Sequence, residues 1–352
     1  MILDSTGNHL DSALKIVVFA GSSYHNEDEL KKRIKRKEPP LANKCFEKVH
    51  GKLVVEPTLE SLVELRANNI YVVAKDSNLE MLSNYPVTGI PEKKGNTFAD
   101  NIMLFLKKVN LDKNEPVYMV FGDHLFADAV SRLHFLRRAD SMYKWDKENI
   151  AAITSVALAD TFLAFIPYVQ RDFIHSSEFS FRGAADWIVN PSNINMNNIN
   201  HLYNVRKQEE SHVIVDSIRK LLKHVGKEAY RAIWDLSFLN LTKHLNKKYL
   251  KFGGSNTLWI RYRTKRIPIS RIERHGGTLV QKKGEPRPIV HFVPNPYAYC
   301  GIDIDYQYEL DMFASHYDTI KDKIVQVKEE LNNGTSPIGI FSDKKFLLKY
   351  YL

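Results

Sequence analysis

A turn that could approach a phosphorylated ligand follows the first apolar run of the chain. The run ends at Phe19, and Ala20, Gly21, Ser22 and Ser23 come next. A glycine here lets backbone N–H groups approach a phosphate or a base with no side chain in the way. It is also an ordinary turn in most proteins, and the sequence contains neither a P-loop nor a complete G-x-G-x-x-G motif. Alone, the turn is a weak signal.

The second candidate is Lys44, which follows a basic run over residues 31–37. A lysine placed there can neutralise the α-phosphate of a nucleotide while pyrophosphate leaves. It can equally be one surface lysine among many, since charge runs are usually solvated.

Carboxylates at two predicted strand ends are the third and fourth candidates. Asp123 follows Gly122 at the end of an apolar run, and it could hold Mg²⁺ against triphosphate oxygens or cap a helix. For residues 299–304 we predict a strand, where alternation places Asp303 and Asp305 on one side, converging on a cation or facing water. Each feature has an ordinary structural explanation, but the four in this order favour a shared site.

The elements that would position these residues alternate along the first part of the chain. Apolar runs rich in β-branched residues predict buried strands, and helical periodicity predicts amphipathic helices between them. This alternation is typical of a doubly wound α/β sheet, in which ligands bind at the carboxyl ends of the strands. The predicted strands are 15–20, 70–74 and 116–121, and the predicted helices are 58–68 and 98–109.

After about residue 140 the pattern loosens. Residues 179–200 are turn-like and rich in asparagine, and 212–250 have the pattern of two long helices. Strands are predicted again at 289–293 and 299–304, followed by a helix over 308–331. We therefore predict three segments: a nucleotide-binding half over 1–140, a largely helical acceptor-binding elaboration over 141–285, and the end of the core over 286–352.

In this order the features resemble the GT-A-like nucleotidyltransferase superfamily, which includes sugar-1-phosphate, molybdenum-cofactor and polyol-phosphate nucleotidyltransferases. The family opens with a strand and an Ala-Gly loop, then an arginine, a lysine and a G-K-P-hydrophobic-hydrophobic-E segment. Here Ala20-Gly21, Arg33 or Arg36, Lys44 and residues 51–56 stand in that order. The Gly-Asp metal site of the family matches Gly122-Asp123, and its late D-x-D segment resembles residues 303–309. The chain departs from the family pattern at Ser23, Asn43 and His124.

The resemblance implies a Rossmann-like GT-A fold and in-line attack of a substrate phosphate oxygen on the α-phosphorus of a nucleoside triphosphate. It implies Mg²⁺ held by Asp123 with Asp305 or Asp303, and charge stabilisation by Lys44 with Arg33 or Arg36. The nucleotide-binding residues would be Ala20, Gly21, Ser22, Ser23, Asn96, Thr97, Asp100 and Asn101. Asp100 and Asn101 are equally suited to cap the helix that follows.

Three basic residues of the middle segment are candidates for the acceptor site. Arg182, Arg206 and Lys207 could bind a substrate phosphate, since a guanidinium binds phosphate bidentately. Pairing with nearby acids is the alternative for each of them.

Composition limits the class of protein and its partners. Hydrophobic residues make up 44% and charged residues 26% of the 352 residues, which is near the globular average. No run is long enough for a membrane helix, there is no signal-peptide core, and the two cysteines show no paired spacing, so we expect a cytoplasmic protein. The net charge of +9 favours anionic partners. As partners we expect a nucleoside triphosphate and a phosphorylated small molecule, and no stably bound nucleic acid. The helices predicted over 212–250 could also form the interface of a homodimer.

Two other functions stay open. A GT-A glycosyltransferase consuming a nucleotide sugar would use the same carboxylate–metal arrangement, although the Lys44 segment favours nucleotidyl transfer. A catalytically degenerate protein that binds nucleotide or nucleic acid is supported by the net charge and by the basic run over 261–274. Salt-sensitive retention on nucleic acid without pyrophosphate release would favour the second.

Overall fold

The computed structural model of the chain describes residues 1–21, 43–93, 96–165, 174–199, 268–304 and 307–333. The helices predicted over 212–250 lie outside the described residues. Residues 261–267, which form the first half of the basic run over 261–274, also lie outside them. In the described ranges, no helix is both long and apolar enough to cross a membrane.

The strands are β1 (Lys15–Phe19), β2 (Lys48–Val49), β3 (Lys52–Leu53), β4 (Asn69–Ala74), β5 (Val87–Pro91), β6 (Val117–Phe121), β7 (Ile150–Leu158), β8 (Ile174–His175), β9 (Ser180–Val189) and β10 (Ile289–Asn295). The α-helices are α1 (Glu56–Glu64), α2 (Asp76–Leu79), α3 (Phe98–Lys108), α4 (Ala129–Asp146), α5 (Ala159–Phe165), α6 (Ile269–Val280), α7 (Gln307–Ser315) and α8 (Tyr317–Asn332).

One eight-stranded sheet organises the fold. Its strand order is β10-β7-β9-β6-β1-β4-β5, with β8 paired to β9, while β2 and β3 form a separate hairpin. The central strand β1 runs parallel to both neighbours, and its Val17 lies in register with Tyr71 and Met119. Strand β9 runs antiparallel to β6 and β7. The predicted doubly wound, mainly parallel α/β sheet is confirmed.

Helices cover both faces of the sheet, which explains why residues 16–19 of β1 are all apolar. On one face Val18 packs in a core with Leu59 of α1 and Phe135 of α4. On the other face Val17 packs in a core with Phe105 of α3. Successive side chains of a strand point to opposite faces, so each needs its own apolar layer.

The described part of 141–285 contributes strands to this sheet, where the sequence indicated helical elaboration. Strands β7 and β9 lie inside the sheet, and β9 falls in the segment that looked turn-like. The apolar pattern of β9 is interrupted by Arg182 and Asp186, so the sequence alone does not indicate a strand. Each of these charges is neutralised by an ion pair with a residue far away in the chain. The acceptor-binding role of the segment stays a prediction.

The strand predicted over 299–304 is wrong. Residues Ala298–Gly301 form a 3₁₀ helix, and residues 302–304 continue outside any strand. Local backbone hydrogen bonds explain the difference, since Cys300 N–H donates to the Tyr297 carbonyl at 3.0 Å and Ile302 N–H donates to the Tyr299 carbonyl at 3.2 Å. The helix predicted over 308–331 is present as α7 and α8, which are separated at His316.

A buried ion pair and its hydrogen bonds connect strands β6 and β9 to helices α1 and α4. Arg132 of α4 pairs with Asp186 of β9, and both side chains are fully buried. The hydroxyl of Tyr118 on β6 also donates to Asp186. The Arg132 guanidinium donates further to Ser61 and Thr58 of α1, at 2.8 and 3.2 Å. Such a network fixes the register of several elements at once.

Candidate active site

Four residues lie just beyond the carboxyl ends of β1, β4, β5 and β6, at the edge of the sheet that we call the ligand-binding edge. These are Gly21, Lys75, Glu92 and Asp123, each one or two residues beyond its strand. Backbone hydrogen bonds hold the strand ends together: Gly122 N–H donates to the Phe19 carbonyl at 3.0 Å. This edge is where ligands bind in doubly wound sheets.

Lys44 and Asp123 form an ion pair that is largely removed from water. Lys44 lies in the 3₁₀ turn Lys44–Phe46, and only 8% of the residue is exposed. Its Nζ pairs with Asp123 Oδ2. Lys44 is therefore a buried residue of this edge and is not one of the surface lysines.

The second oxygen of Asp123 differs from the first, because Lys44 does not pair with it. Asp123 Oδ1 is buried and has no hydrogen-bond partner within the described residues. His124 Nε2 lies 3.7 Å from this oxygen, beyond hydrogen-bond distance. Burial lowers the pKa of His124, against the opposing charge of Asp123, so its imidazole is neutral near pH 7. An unpaired buried carboxylate oxygen is unfavourable unless a cation or water meets it.

A second carboxylate–cation pair stands next to the first. Ile304 N–H donates to the Asp123 carbonyl at 3.2 Å, which places Asp303 beside Asp123. Asp303 Oδ1 accepts a hydrogen bond from Arg182 Nη2 at 2.7 Å. The other guanidinium nitrogens, Nε and Nη1, are buried without a partner in the described part of the chain. Arg182 therefore pairs with an acid, and its Cζ also lies 5.2 Å from the centre of the Phe162 ring. Its role in binding an acceptor stays a prediction.

Asp100 and Asn101, which follow β5 at the start of α3, have different hydrogen-bond partners. Thr97 and Asp100 form a capping box at the start of α3, which accounts for Asp100 as a helix cap. Asn101 instead donates from Nδ2 to Glu92 Oε2 at 3.2 Å, and it accepts from Asn96 Nδ2 at 3.0 Å. Asn96 and Asn101 therefore lie beside the edge of the sheet that carries Gly21.

Glu92 is a candidate that the sequence did not indicate. The preceding strand, β5, contains a glycine and a proline and was not predicted, so the position of Glu92 at a strand end was not recognised. A proline is tolerated there because β5 is the edge strand.

Several predicted site residues lie outside the described residues, and their roles stay predictions. They are Ser22, Ser23, Arg33, Arg36, Arg206, Lys207 and Asp305.

The described residues fit a magnesium ion bound mainly by its substrate. They contain no group of three or more His, Cys, Asp or Glu side chains arranged to hold a metal. Mg²⁺ in nucleotide sites needs only one or two carboxylates, because phosphates and water complete its shell. Asp123, whose Oδ1 is unpartnered in the described part of the chain, and the neighbouring Asp303 are the carboxylates that could contribute to such a site, and magnesium binding stays a prediction.

Both cysteines are unsuited to nucleophilic chemistry. Cys45 and Cys300 are free and buried. Burial raises the pKa of the Cys45 thiol, and the charges of Asp123 and Glu92 add to the effect. The thiol therefore stays protonated and has little nucleophilic character.

Comparison with known proteins gives a likeness of fold. No family model matches the sequence, and no curated protein does either. A hypothetical transferase from Thermus thermophilus superposes with a TM-score of 0.51 at 14% identity, over 84% of this chain and 99% of that one. A 4-diphosphocytidyl-2C-methyl-D-erythritol synthase from Anaerococcus prevotii gives 0.40 at 10% identity, over 89% and 99%. A CMP:2-keto-3-deoxy-manno-octonic acid synthetase complexed with CTP gives 0.37 at 13%, over 59% and 83%. The chain therefore shares the fold of the Thermus thermophilus transferase, and its assignment to the nucleotidyltransferases stays a proposal.

Proposed function

We propose that the protein is a magnesium-dependent nucleotidyltransferase that transfers a nucleoside monophosphate from a nucleoside triphosphate to a phosphorylated small molecule, with release of pyrophosphate. The observation that supports this most is the pairing of Lys44 with Asp123 at the ligand-binding edge of the sheet. A buried cation and a buried carboxylate at one strand end suit a ligand that brings both phosphates and a divalent ion.

The roles of the side chains follow from their surroundings. Bound Mg²⁺ would neutralise charge on the triphosphate, and Asp123 and Asp303, with Asp305, would hold it. Lys44 Nζ would turn from Asp123 to the α-phosphate, where negative charge builds up as pyrophosphate leaves. Arg182 would orient the acceptor phosphate through Nε and Nη1. No general base is needed, because a phosphate monoester is largely a dianion near neutral pH.

Two measurements test the proposal. The first is the melting temperature with Mg²⁺ and each of the four ribonucleoside triphosphates, since a ligand at 100 times its Kd adds about 2.7 kcal/mol of stability. The second is pyrophosphate release with a panel of sugar 1-phosphates and polyol phosphates, with EDTA as control. We expect at least one triphosphate to stabilise the protein and one acceptor to give EDTA-sensitive pyrophosphate. Stabilisation by a nucleotide sugar alone, without pyrophosphate release, would support the glycosyltransferase alternative instead.

A further inference from the structure

The hairpin of β2 and β3 turns through two residues with positive φ, His50 at 50° and Gly51 at 83°. A two-residue hairpin turn of this kind is ordinarily built from Asn-Gly or Asp-Gly. Histidine is an uncommon choice in the left-handed region, because a Cβ approaches the following carbonyl oxygen there. The turn alone therefore does not account for the histidine, whereas the contacts of its ring do.

The His50 ring lies on the junction between α7 and α8. Its Nε2 is 2.8 Å from the carbonyl oxygen of Ala314, which can only accept, so Nε2 carries the proton and donates. Ala314 lies in the last turn of α7, whose final carbonyls have no partner within the helix. The ring also stacks on Tyr317, the first residue of α8, with the ring centroids 4.7 Å apart and the planes at 22°. One side chain of the hairpin thus spans the break between the two helices.

The same hairpin is bonded to the 3₁₀ turn that carries Lys44. Val54 N–H donates to the Glu47 carbonyl at 3.0 Å, and Val55 N–H donates to the Cys45 carbonyl at 2.9 Å. These bonds join the turn to the end of β3. A shift of the hairpin therefore shifts the backbone of Lys44.

Apolar packing holds the base of the hairpin, and His50 holds its tip. Val49 and Val54 pack in one core with Phe313 of α7 and Ile320 of α8. Such packing is non-directional, so it keeps the hairpin against the helices without fixing its orientation. The hydrogen bond and the ring stack of His50 have defined directions and supply that orientation.

The α7–α8 junction belongs to the opposite side of the candidate site. Helix α7 follows the segment in which Ile304 N–H donates to the Asp123 carbonyl at 3.2 Å, next to Asp303. His50 consequently links the element that carries Lys44 to the helices that follow the second carboxylate.

We propose that His50 is a positioning residue, which anchors the hairpin to the α7–α8 junction and so holds Lys44 against Asp123. This inference rests on the proposed function, because the exact position of Lys44 matters if its ammonium has to reach the α-phosphate. A displacement of about 1 Å at a reacting group can lower the rate by up to about a hundredfold, even when the substitution is remote.

His50→Asn separates the anchor from the turn. Asparagine tolerates positive φ and suits this position of the hairpin, but it is too short to reach the Ala314 carbonyl and has no ring to stack. Arg66→Asn is the matched control, because Arg66 is exposed and also has a positive φ, of 59°, just after α1. Both variants are compared with the wild type in pyrophosphate release, using the triphosphate and acceptor that give the fastest release in the panel.

We expect kcat of His50→Asn to fall about tenfold, with KM for the triphosphate within about twofold of the wild type, because Lys44 acts mainly in the transition state. Arg66→Asn should keep the wild-type kcat. In the Lys44→Ala background, His50→Asn should have no further effect, since the residue that it positions is gone. A wild-type kcat for His50→Asn, or the same loss with and without Lys44, would overturn the positioning role.

Hydrogen exchange followed by mass spectrometry tests the anchor without the reaction. Peptides covering residues 43–55 should exchange several-fold faster in His50→Asn than in the wild type or Arg66→Asn, because the hairpin opens more often. Unchanged exchange would overturn the anchor. Faster exchange in a protein that releases no pyrophosphate with any acceptor would uphold the anchor and overturn the proposed function instead.

Discussion

At the scale of single residues, the site contains charges that compensate one another. Lys44 is matched by Asp123, and Asp303 is matched by Arg182. A triphosphate with a divalent cation offers new partners to all four groups, since phosphate suits the two cations and the metal suits the two carboxylates. Under the proposed function, the same side chains would stabilise both the free protein and the bound nucleotide.

Lys44 gives the residue-scale prediction. Replacing it by alanine removes a positive charge that would act mainly in the transition state, so kcat should fall about a hundredfold to a thousandfold. Lys52→Ala is the matched control, because Lys52 pairs with Glu60 in a salt bridge where both side chains are about half exposed, at 53% and 46%. Turnover is measured below the melting temperature of the variant, because Asp123 is left unpaired. Near-normal turnover of Lys44→Ala would mean that another cation serves the α-phosphate.

The sequence predicted some of these residues and not others, for a physical reason. Gly21, Lys44 and Asp123 were recognisable because each follows a local signal, either an apolar strand or a basic loop. The pairing of Arg182 with Asp303 joins residues 121 positions apart, and no local pattern reports it. Glu92 was missed because its strand is short and lies at the edge of the sheet.

At the scale of elements, local periodicity identified the strands that are apolar on both faces. Strands β1, β4 and β6 and helices α1 and α3 were predicted to within a few residues. Strand β9 was not, because its charged residues are buried only through pairing with α4 and with the 302–304 segment. Such long-range compensation overrides local preference and is invisible in a short window of sequence.

The Arg132–Asp186 pair gives the element-scale prediction. Asp186→Asn leaves the Arg132 guanidinium buried without its countercharge, and the free energy of unfolding should fall by about 3 to 5 kcal/mol. Lys144→Ala is the matched control, because it breaks the pair with Asp140 while 49% of the lysine side chain is exposed, and it should cost about 0.5 kcal/mol or less. Urea denaturation followed by circular dichroism measures both. A loss below 1 kcal/mol for Asp186→Asn would show that this pair does not hold α4 against β9.

At the scale of the whole molecule, the net charge of +9 has to be reconciled with a small-molecule site. In the described part of the chain, Lys44 and Arg182 at the ligand-binding edge are matched by acids, and Lys75 donates to Asn43 Oδ1 at 3.3 Å. The described end of the basic run lies in α6, where Ile272 is buried and Glu273 accepts from the Phe292 N–H at 3.0 Å. Arg271 and Arg274 are exposed on the same helix. Within the described residues 268–280, this arrangement interrupts the positive charge, whereas a polymer-binding surface needs a continuous stripe.

The last prediction is therefore that the protein binds small anions and does not form a tight complex with nucleic acid. Each phosphate neutralised on duplex DNA adds close to 0.9 to the magnitude of the salt-dependence slope, so a real polymer site would be steeply salt-dependent. Labelled duplex and single-stranded oligonucleotides are titrated at about 150 mM salt, where we expect only the non-specific range of about 10⁻⁴ to 10⁻⁶ M. Binding of the preferred triphosphate with Mg²⁺ in the same buffer serves as the positive control. A submicromolar, steeply salt-dependent complex with either oligonucleotide would contradict the prediction, because two exposed arginines on α6 could not account for it and a larger basic surface would have to exist.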